Sequence, residues 1–367
     1  MFVTDTRIEN LLSYLEQDYS STEEGFLLLL SEKSVPDMEL LLFTLKERGI
    51  KVCGGIFPAL LHKGKRVDKG AIIQRFPLLG DPFVVQTQMN SSSPLKSYHN
   101  VTGKKTALVW ADGLSGYTPQ NLKWLYAQLG GPITYLGGGA GFMSFQQAPC
   151  VFTQDGIYQD AIVGMVLKKT ARVGVSHGWK KIMGPLVATK TRKNIIYELN
   201  WEPALEVYKR SIELAGGGVF DGGNFFDLAK QYPFGIYRSQ TEQLVRDPLG
   251  IGEEGAIICA GEVPENAVLN ILKGEDEELI QAARQAAAGC QTSEQPLDKV
   301  LIVDCISRAL FLDEKFEREL WEVEDCFSKE NMEVALEGVL SIGEISSLSG
   351  QNLDFYNKTI VVGAFYD

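Results

Sequence analysis

Histidine is scarce in this 367-residue chain: there are three, at 62, 99 and 177. They lie in separate segments, so no pair stands at the spacing that a zinc or other metal site needs. The six cysteines, at 53, 150, 259, 290, 305 and 326, include no Cys-x-x-Cys pair and sit in apolar strand or helix contexts. That argues against a zinc knuckle and a secreted disulfide lattice, and predicts reduced, buried thiols. A strong basic run is missing too; Lys63-Gly64-Lys65-Arg66 is the nearest candidate and reads as an exposed hairpin tip. With a net charge of -12, the chain lacks the cationic surface on which nucleic-acid affinity depends. No apolar run reaches transmembrane length, and Asp5, Glu9, Glu16 and Asp18 occupy the region where a secretory leader would be basic. These absences predict a cytoplasmic protein that contacts neither nucleic acid nor membrane.

What the chain has is a sentence of residues repeated three times. An apolar strand leads to an amphipathic helix, a second strand ending in glycines, a loop and an exit strand. The first copy is strand 26–30, helix 36–48, Val52-Cys53-Gly54-Gly55 and strand 71–76. The second is strand 107–111, helix 119–129, residues 133–136 before Gly137-Gly138-Gly139, and strand 161–167. The third is strand 300–305, a helical stretch from 309, strand 338–345 and strand 359–365. From mid-strand to glycine the intervals are 26 (Leu28 to Gly54), 28 (Val109 to Gly137) and 40 (Val303 to Gly343). Copies at this scale cannot each bury an apolar face alone and must share a core.

Around the copies, residues 6–18 read as an amphipathic helix and 90–94 as a loop, while Asp155-Gly156 marks a hairpin. A second hairpin is expected over 186–199, then a helix over 203–214 that Gly216-Gly217-Gly218 ends. Short strands and a helix at 276–288 come next. The predicted fold is α/β, α+β in part, with repeated strand-helix-strand units in two packed mixed-sheet subdomains. The expected boundaries give a helix in 1–23, one part in 24–215 and another in 216–367.

Several motifs carry chemistry on paper. Gly174-Val175-Ser176-His177-Gly178 matches a hydrolase nucleophile elbow, but Trp179 to Pro185 cannot supply the helix behind it. Gly137 to Gly141 resembles a phosphate-cradling loop, yet the chain continues toward a strand rather than a helix. These glycines read better as a wall that lets backbone approach a ligand or strand. Arg308, Glu344 and Asn357 each stand at a strand edge of the third copy. An arginine clamping a carboxylate and a glutamate facing an ammonium are the minimal equipment for an amino acid. The alternative is an Arg–Glu pair that only holds structure. Cys305 becomes a reactive thiol if Arg308 lowers its pKa, and a buried inert thiol otherwise. His177 is the one histidine considered as a haem ligand; no other cofactor or metal is expected.

The segments Gly137-Gly138-Gly139-Ala140-Gly141, Ala188-Thr189-Lys190, Tyr197-Glu198-Leu199 and Pro203 to Tyr208 resemble the FIST (F-box and intracellular signal transduction) sensory domain family. So do Val245-Arg246-Asp247-Pro248-Leu249-Gly250, Asp304-Cys305-Ile306-Ser307-Arg308, Ile342-Gly343-Glu344-Ile345 and Asn357-Lys358-Thr359. The likeness runs over about residues 24 to 366, its two parts meeting near Gly216. It departs at Asp304 and Ser307, where the family usually shows serine and glycine. The resemblance implies a cytoplasmic sensor of small molecules such as amino acids, working with histidine kinases, diguanylate cyclases or chemotaxis receptors. Some relatives are similar to nitric-oxide-responsive haem proteins. Since no output domain follows Asp367, a separate partner is expected to carry the signal. The expected ligand-binding residues are Arg246, Cys305, Arg308, Glu344 and Asn357, with Gly137, Gly138 and Gly139 as the wall. The alternatives are a haem-based nitric oxide sensor and a hydrolase or thiol enzyme using Ser176 or Cys305.

Overall fold

The computed structural model describes all residues except 18, 20–22, 90–94, 96–97, 99–104, 219–222, 224, 239–242, 293–294, 329–335, 348–351 and 367. His99 and the expected loop at 90–94 lie outside the described residues. The protein is α/β, built from mixed sheets.

The three copies fold alike. The first is β1 (Glu24–Ser31), α1 (Met38–Glu47), β2 (Val52–Phe57) and β3 (Ala71–Pro77). The second is β4 (Lys105–Asp112), α2 (Thr118–Leu129), β5 (Ile133–Ala140) and β6 (Ile162–Leu167). The third is β7 (Leu297–Cys305), α3 (Ile306–Leu312), α4 (Phe316–Ser328), β8 (Leu336–Ser341) and β9 (Ile360–Tyr366). In each, the first two strands run parallel, and the exit strand returns antiparallel along the free edge of the first. The helices form for ordinary reasons. Asp37 caps α1 by accepting from the Leu40 amide, and Met38, Leu41, Leu42 and Leu45 form its buried stripe at helical spacing. Pro119 sits in the first turn of α2, where its missing N–H costs nothing. Each leucine so buried contributes roughly 1.5–3 kcal/mol.

A short strand after each second strand binds the copies together. Ala59–His62 pairs with β8 of the third copy, Val151–Thr153 with β2 of the first, and Glu344–Ser346 with β5 of the second. Every copy therefore completes another copy's sheet, in a cycle of one to three, two to one and three to two. No second strand is left as an open edge.

The cycle corrects the alignment of the third copy. Gly54, Gly137 and Gly338 stand opposite Leu28, Val109 and Ile302 on the parallel neighbours. A Cβ on these glycines would lie 1.8, 1.7 and 2.0 Å from the carbonyl oxygen of that neighbour, so any other residue must shift the strand pair apart. The third equivalent is thus Gly338, not Gly343. Gly343, at φ +94°, instead breaks the expected strand 338–345 in two and sends Glu344 into the second copy's sheet, opposite Gly138. The helical stretch from 309 also divides, at Asp313 (φ +49°), into α3 and α4.

Between the second and third copies, strands from Lys180 to Lys273 build a four-stranded and a five-stranded sheet. With the helix Ala204–Leu214 they enclose a core that includes Ile196, Tyr208, Ile212, Phe234 and Leu269. Gly216, where the sequence places a boundary, lies just after that helix. Two sheets of the three-copy cycle take strands from both sides of it. The helix Asp276–Cys290 then covers the strand Ala171–Ser176 and β9. The amino-terminal helix spans Ile8–Glu16 and buries Leu11, Leu12 and Leu15. No described helix is long and apolar enough to cross a membrane.

Candidate functional site

The carboxyl ends of β4, β7 and β8 open on a cavity of about 290 Å³. Strand ends suit such a role because the chain there leaves the hydrogen-bonded ladder and exposes loops. After β4, Asp112 accepts from the Leu114 amide and its carbonyl accepts from the Thr118 hydroxyl, which fixes the loop 113–118 on one wall. After β7, Cys305, Ile306 and Ser307 form the floor as the chain turns into α3. The Lys193-Asn194 turn, Asp247 and residues 259–262 come from the inserted sheets, and Phe355 and Asn357 from the loop before β9.

Below the floor runs a buried polar chain. Asp247 Oδ2 is 3.1 Å from Lys358 Nζ and accepts from the Ser307 hydroxyl at 3.1 Å. Lys358 lies over the Trp179 ring, 4.7 Å from its centroid, and donates to the Lys230 carbonyl. Burial holds the Asp247 carboxyl above the usual carboxylate range, with Lys358 opposing. Its Oδ1 has no hydrogen-bond partner among the described residues, although Asp247 lines the cavity.

The expected site residues separate into groups. Cys305 and Asn357 line the cavity. Arg246 lies beside it and donates to Asn357 Oδ1 at 3.3 Å. Arg308 is fully enclosed elsewhere: its five N–H groups reach Glu319 Oε1 and Oε2 and the carbonyls of His177, Lys358 and Leu279. None remains for a ligand carboxylate. Glu344, also fully buried, accepts from the Ser341 hydroxyl and the Thr359 amide. Burial pushes its carboxyl up to about 8. Arg308 and Glu344 are therefore not each other's partners; Arg308 takes Glu319, with Asp304 Oδ1 3.4 Å away. Gly137, Gly138 and Gly139 pack against Val109, Val303 and Ile342 and are not cavity walls.

The other readings meet specific geometry. Ser176 ends a strand paired to β9, and the chain after it continues to the strand Lys180–Val187, so no helix backs it. His177 accepts from the Trp179 amide at Nδ1, which places the proton of the neutral ring on Nε2. Burial, with Arg308 and Lys180 nearby, pulls its pKa down to about 4. A neutral ring with Nε2 protonated and Nδ1 engaged has no free lone pair for iron, so it does not fit a haem. Cys305 is pushed up by burial and the nearby Glu344, the opposite of an activated thiol. No group of three or more metal-ligating side chains occurs among the described residues.

Sequence reasoning missed Asp247, Ser307 and Lys358. The available signal was an aspartate and a lysine each following a residue already chosen, Arg246 and Asn357, in otherwise apolar surroundings.

A family model of the FIST N domain matches residues 80–202, and one of the FIST C domain matches residues 204–347. No curated protein matches the sequence. Walls of the cavity come from both matched segments, residues 113–119 and 193–194 from the first and 247–262, 305–307 and 342–343 from the second. FIST domains are in general sensory domains of signal transduction, and this chain belongs to the FIST family.

Proposed function

We propose that this chain senses a small amine-bearing metabolite, an amino acid or a close relative, in the 290 Å³ cavity. The sensor reports from the cytoplasm to a signalling partner such as a histidine kinase, diguanylate cyclase or chemotaxis receptor. The observation that carries this reading is a cavity walled by both FIST segments. A ligand touching both favours the arrangement in which they meet, and its differential affinity sets the size of the signal. The lining supports the ligand class: the Asp247 carboxylate faces an ammonium, Asn357 and Asn194 supply carboxamides, and Ile306 and Ile342 accept an apolar side chain. No catalytic turnover is part of the proposal.

A thermal-shift screen of amino acids and amines tests it, because a ligand that binds the folded state raises the melting temperature. Gly116→Leu is the control. A Cβ at Gly116 meets nothing within 4 Å, so the substitution folds while crowding the cavity rim. The expected result is a shift for one chemical family in the wild type that disappears in Gly116→Leu. No shift with any amine, or one that persists in both Gly116→Leu and Asn357→Leu, sinks the reading.

A further inference from the structure

Three cations are buried among the described residues: Arg246, Arg308 and Lys358. Arg308 has Glu319 and Asp304, and Lys358 has Asp247. Arg246, 6% exposed, has no carboxylate at ion-pair distance among the described residues. Its acceptors are all neutral: the carbonyls of Glu262 at 2.8 Å, Val245 at 2.9 Å and Phe355 at 3.1 Å, and Asn357 Oδ1 at 3.3 Å. These engage Nε and Nη1. Nη2, with two N–H donors, has no acceptor among the described residues.

Arg246 lines a second cavity of about 280 Å³, which adjoins the first across Phe355 and Glu262. We infer that this second cavity binds a small organic carboxylate with an apolar body, its anion held on Arg246 Nη2. A buried cation without a counter-ion is costly, and an arriving carboxylate removes that cost while gaining charge-assisted hydrogen bonds. Burial pushes the guanidinium pKa down only to about 10, so it is charged at neutral pH. The body of the ligand meets Leu122, Ile236, Leu244 and Leu353. The rim carries Lys123 and Arg238 against Glu262 and Asp354, and Arg238 already faces Asp354 at 3.6 Å. One net positive charge on a mostly apolar lining fits a monoanion and disfavours a phosphate dianion. The inference goes beyond the sensor reading and does not need it, since the two cavities have different floors.

Phenylacetate is a suitable probe, with phenylacetamide as its neutral isostere, observed on protein carrying labelled isoleucine and leucine methyl groups. Phenylacetate at millimolar concentration is expected to shift the methyl signals of Ile236 and Leu353 saturably, and phenylacetamide is not. Arg246→Gln should weaken phenylacetate by roughly tenfold or more. Lys123→Glu, at an exposed position, should weaken it by a few-fold. If Arg246→Gln does not fold, Lys123→Glu decides: unchanged affinity there overturns the site. Equal binding of acid and amide, or no shift at all, also overturns it. Shifts only at Ile306 and Ile342 place the acid in the first cavity, which overturns this inference and leaves the sensor reading standing.

Discussion

Arg308 and Glu319 form a two-point ion pair, Nε to Oε1 at 3.1 Å and Nη2 to Oε2 at 2.6 Å, with neither side chain exposed to solvent. The same guanidinium holds the carbonyls of Leu279, His177 and Lys358, so it joins α3 to α4, to the helix Asp276–Cys290 and to the loop before β9. Removing Arg308 leaves the Glu319 charge buried and uncompensated. Arg308→Met is expected to cost about 3–5 kcal/mol in urea unfolding. Replacing both, Arg308→Met with Glu319→Leu, should cost clearly less than the two single changes added together. Additive losses would show that the pair is not coupled.

Stability should fall between pH 6.5 and 8, and Glu344 is the reason. Burial raises its carboxyl from an ordinary 4.5 to about 8, against hydrogen bonds from Ser341, Thr359 and Cys305 that favour the charged form. Between those values the folded chain keeps a proton that the unfolded chain has released, so each rise in pH disfavours folding. His177, lowered from 6.5 to about 4, acts with the opposite sign, but all except about 0.4 kcal/mol of its contribution is in place by pH 6.5. Above that point the raised carboxyls dominate. Asp304 and Asp247, also raised by burial, act with the same sign; Asp247 is unaffected by a change at Glu344, and Asp304 loses only the smallest cause of its shift. Glu344→Gln should flatten the decline by about 2 kcal/mol over this range, measured by urea unfolding at several pH values. Parallel profiles for the two proteins would rule the assignment out.

The threefold repetition and the α/β class are legible in the sequence because apolar runs, helix periods and glycine-ended strands are local signals. Cyclic strand exchange is not, because Ala59–His62, Val151–Thr153 and Glu344–Ser346 are short and pair with residues from other copies. One glycine at φ +94° moves Glu344 from one sheet to another, and no periodicity marks that change. The polar residues Arg308 and Glu344 stand out in the sequence for the reason that makes them structural: they are charges in apolar surroundings that the fold satisfies internally. Cys305 and Asn357 reach the cavity because each sits where a strand ends.

The thiols should be inert in the native protein. All six cysteines are buried thiols outside any disulfide, and burial raises the pKa of Cys305. A thiol-disulfide reagent at neutral pH is expected to find essentially none in the folded chain and all six after guanidinium unfolding. Selective alkylation of Cys305 below the ordinary thiol pKa would restore the thiol-enzyme reading.

Gly54, Gly137 and Gly338 occupy one position in the three copies, each closing a parallel strand pair against a carbonyl within 2.0 Å of where a Cβ would stand. A methyl group there must push backbone rather than a flexible side chain, and in a cycle of shared sheets that displacement passes to the copy whose strand pairs next. Alanine at any of the three should therefore destabilise by about 1–3 kcal/mol, in line with overpacking of a filled core. Gly116→Ala, where nothing lies within 4 Å, should change stability little. Chemical unfolding of the four variants checks the claim, and the informative comparison is among the first three. If Gly338→Ala is tolerated while the other two are not, the third copy is not the structural equal of the first two.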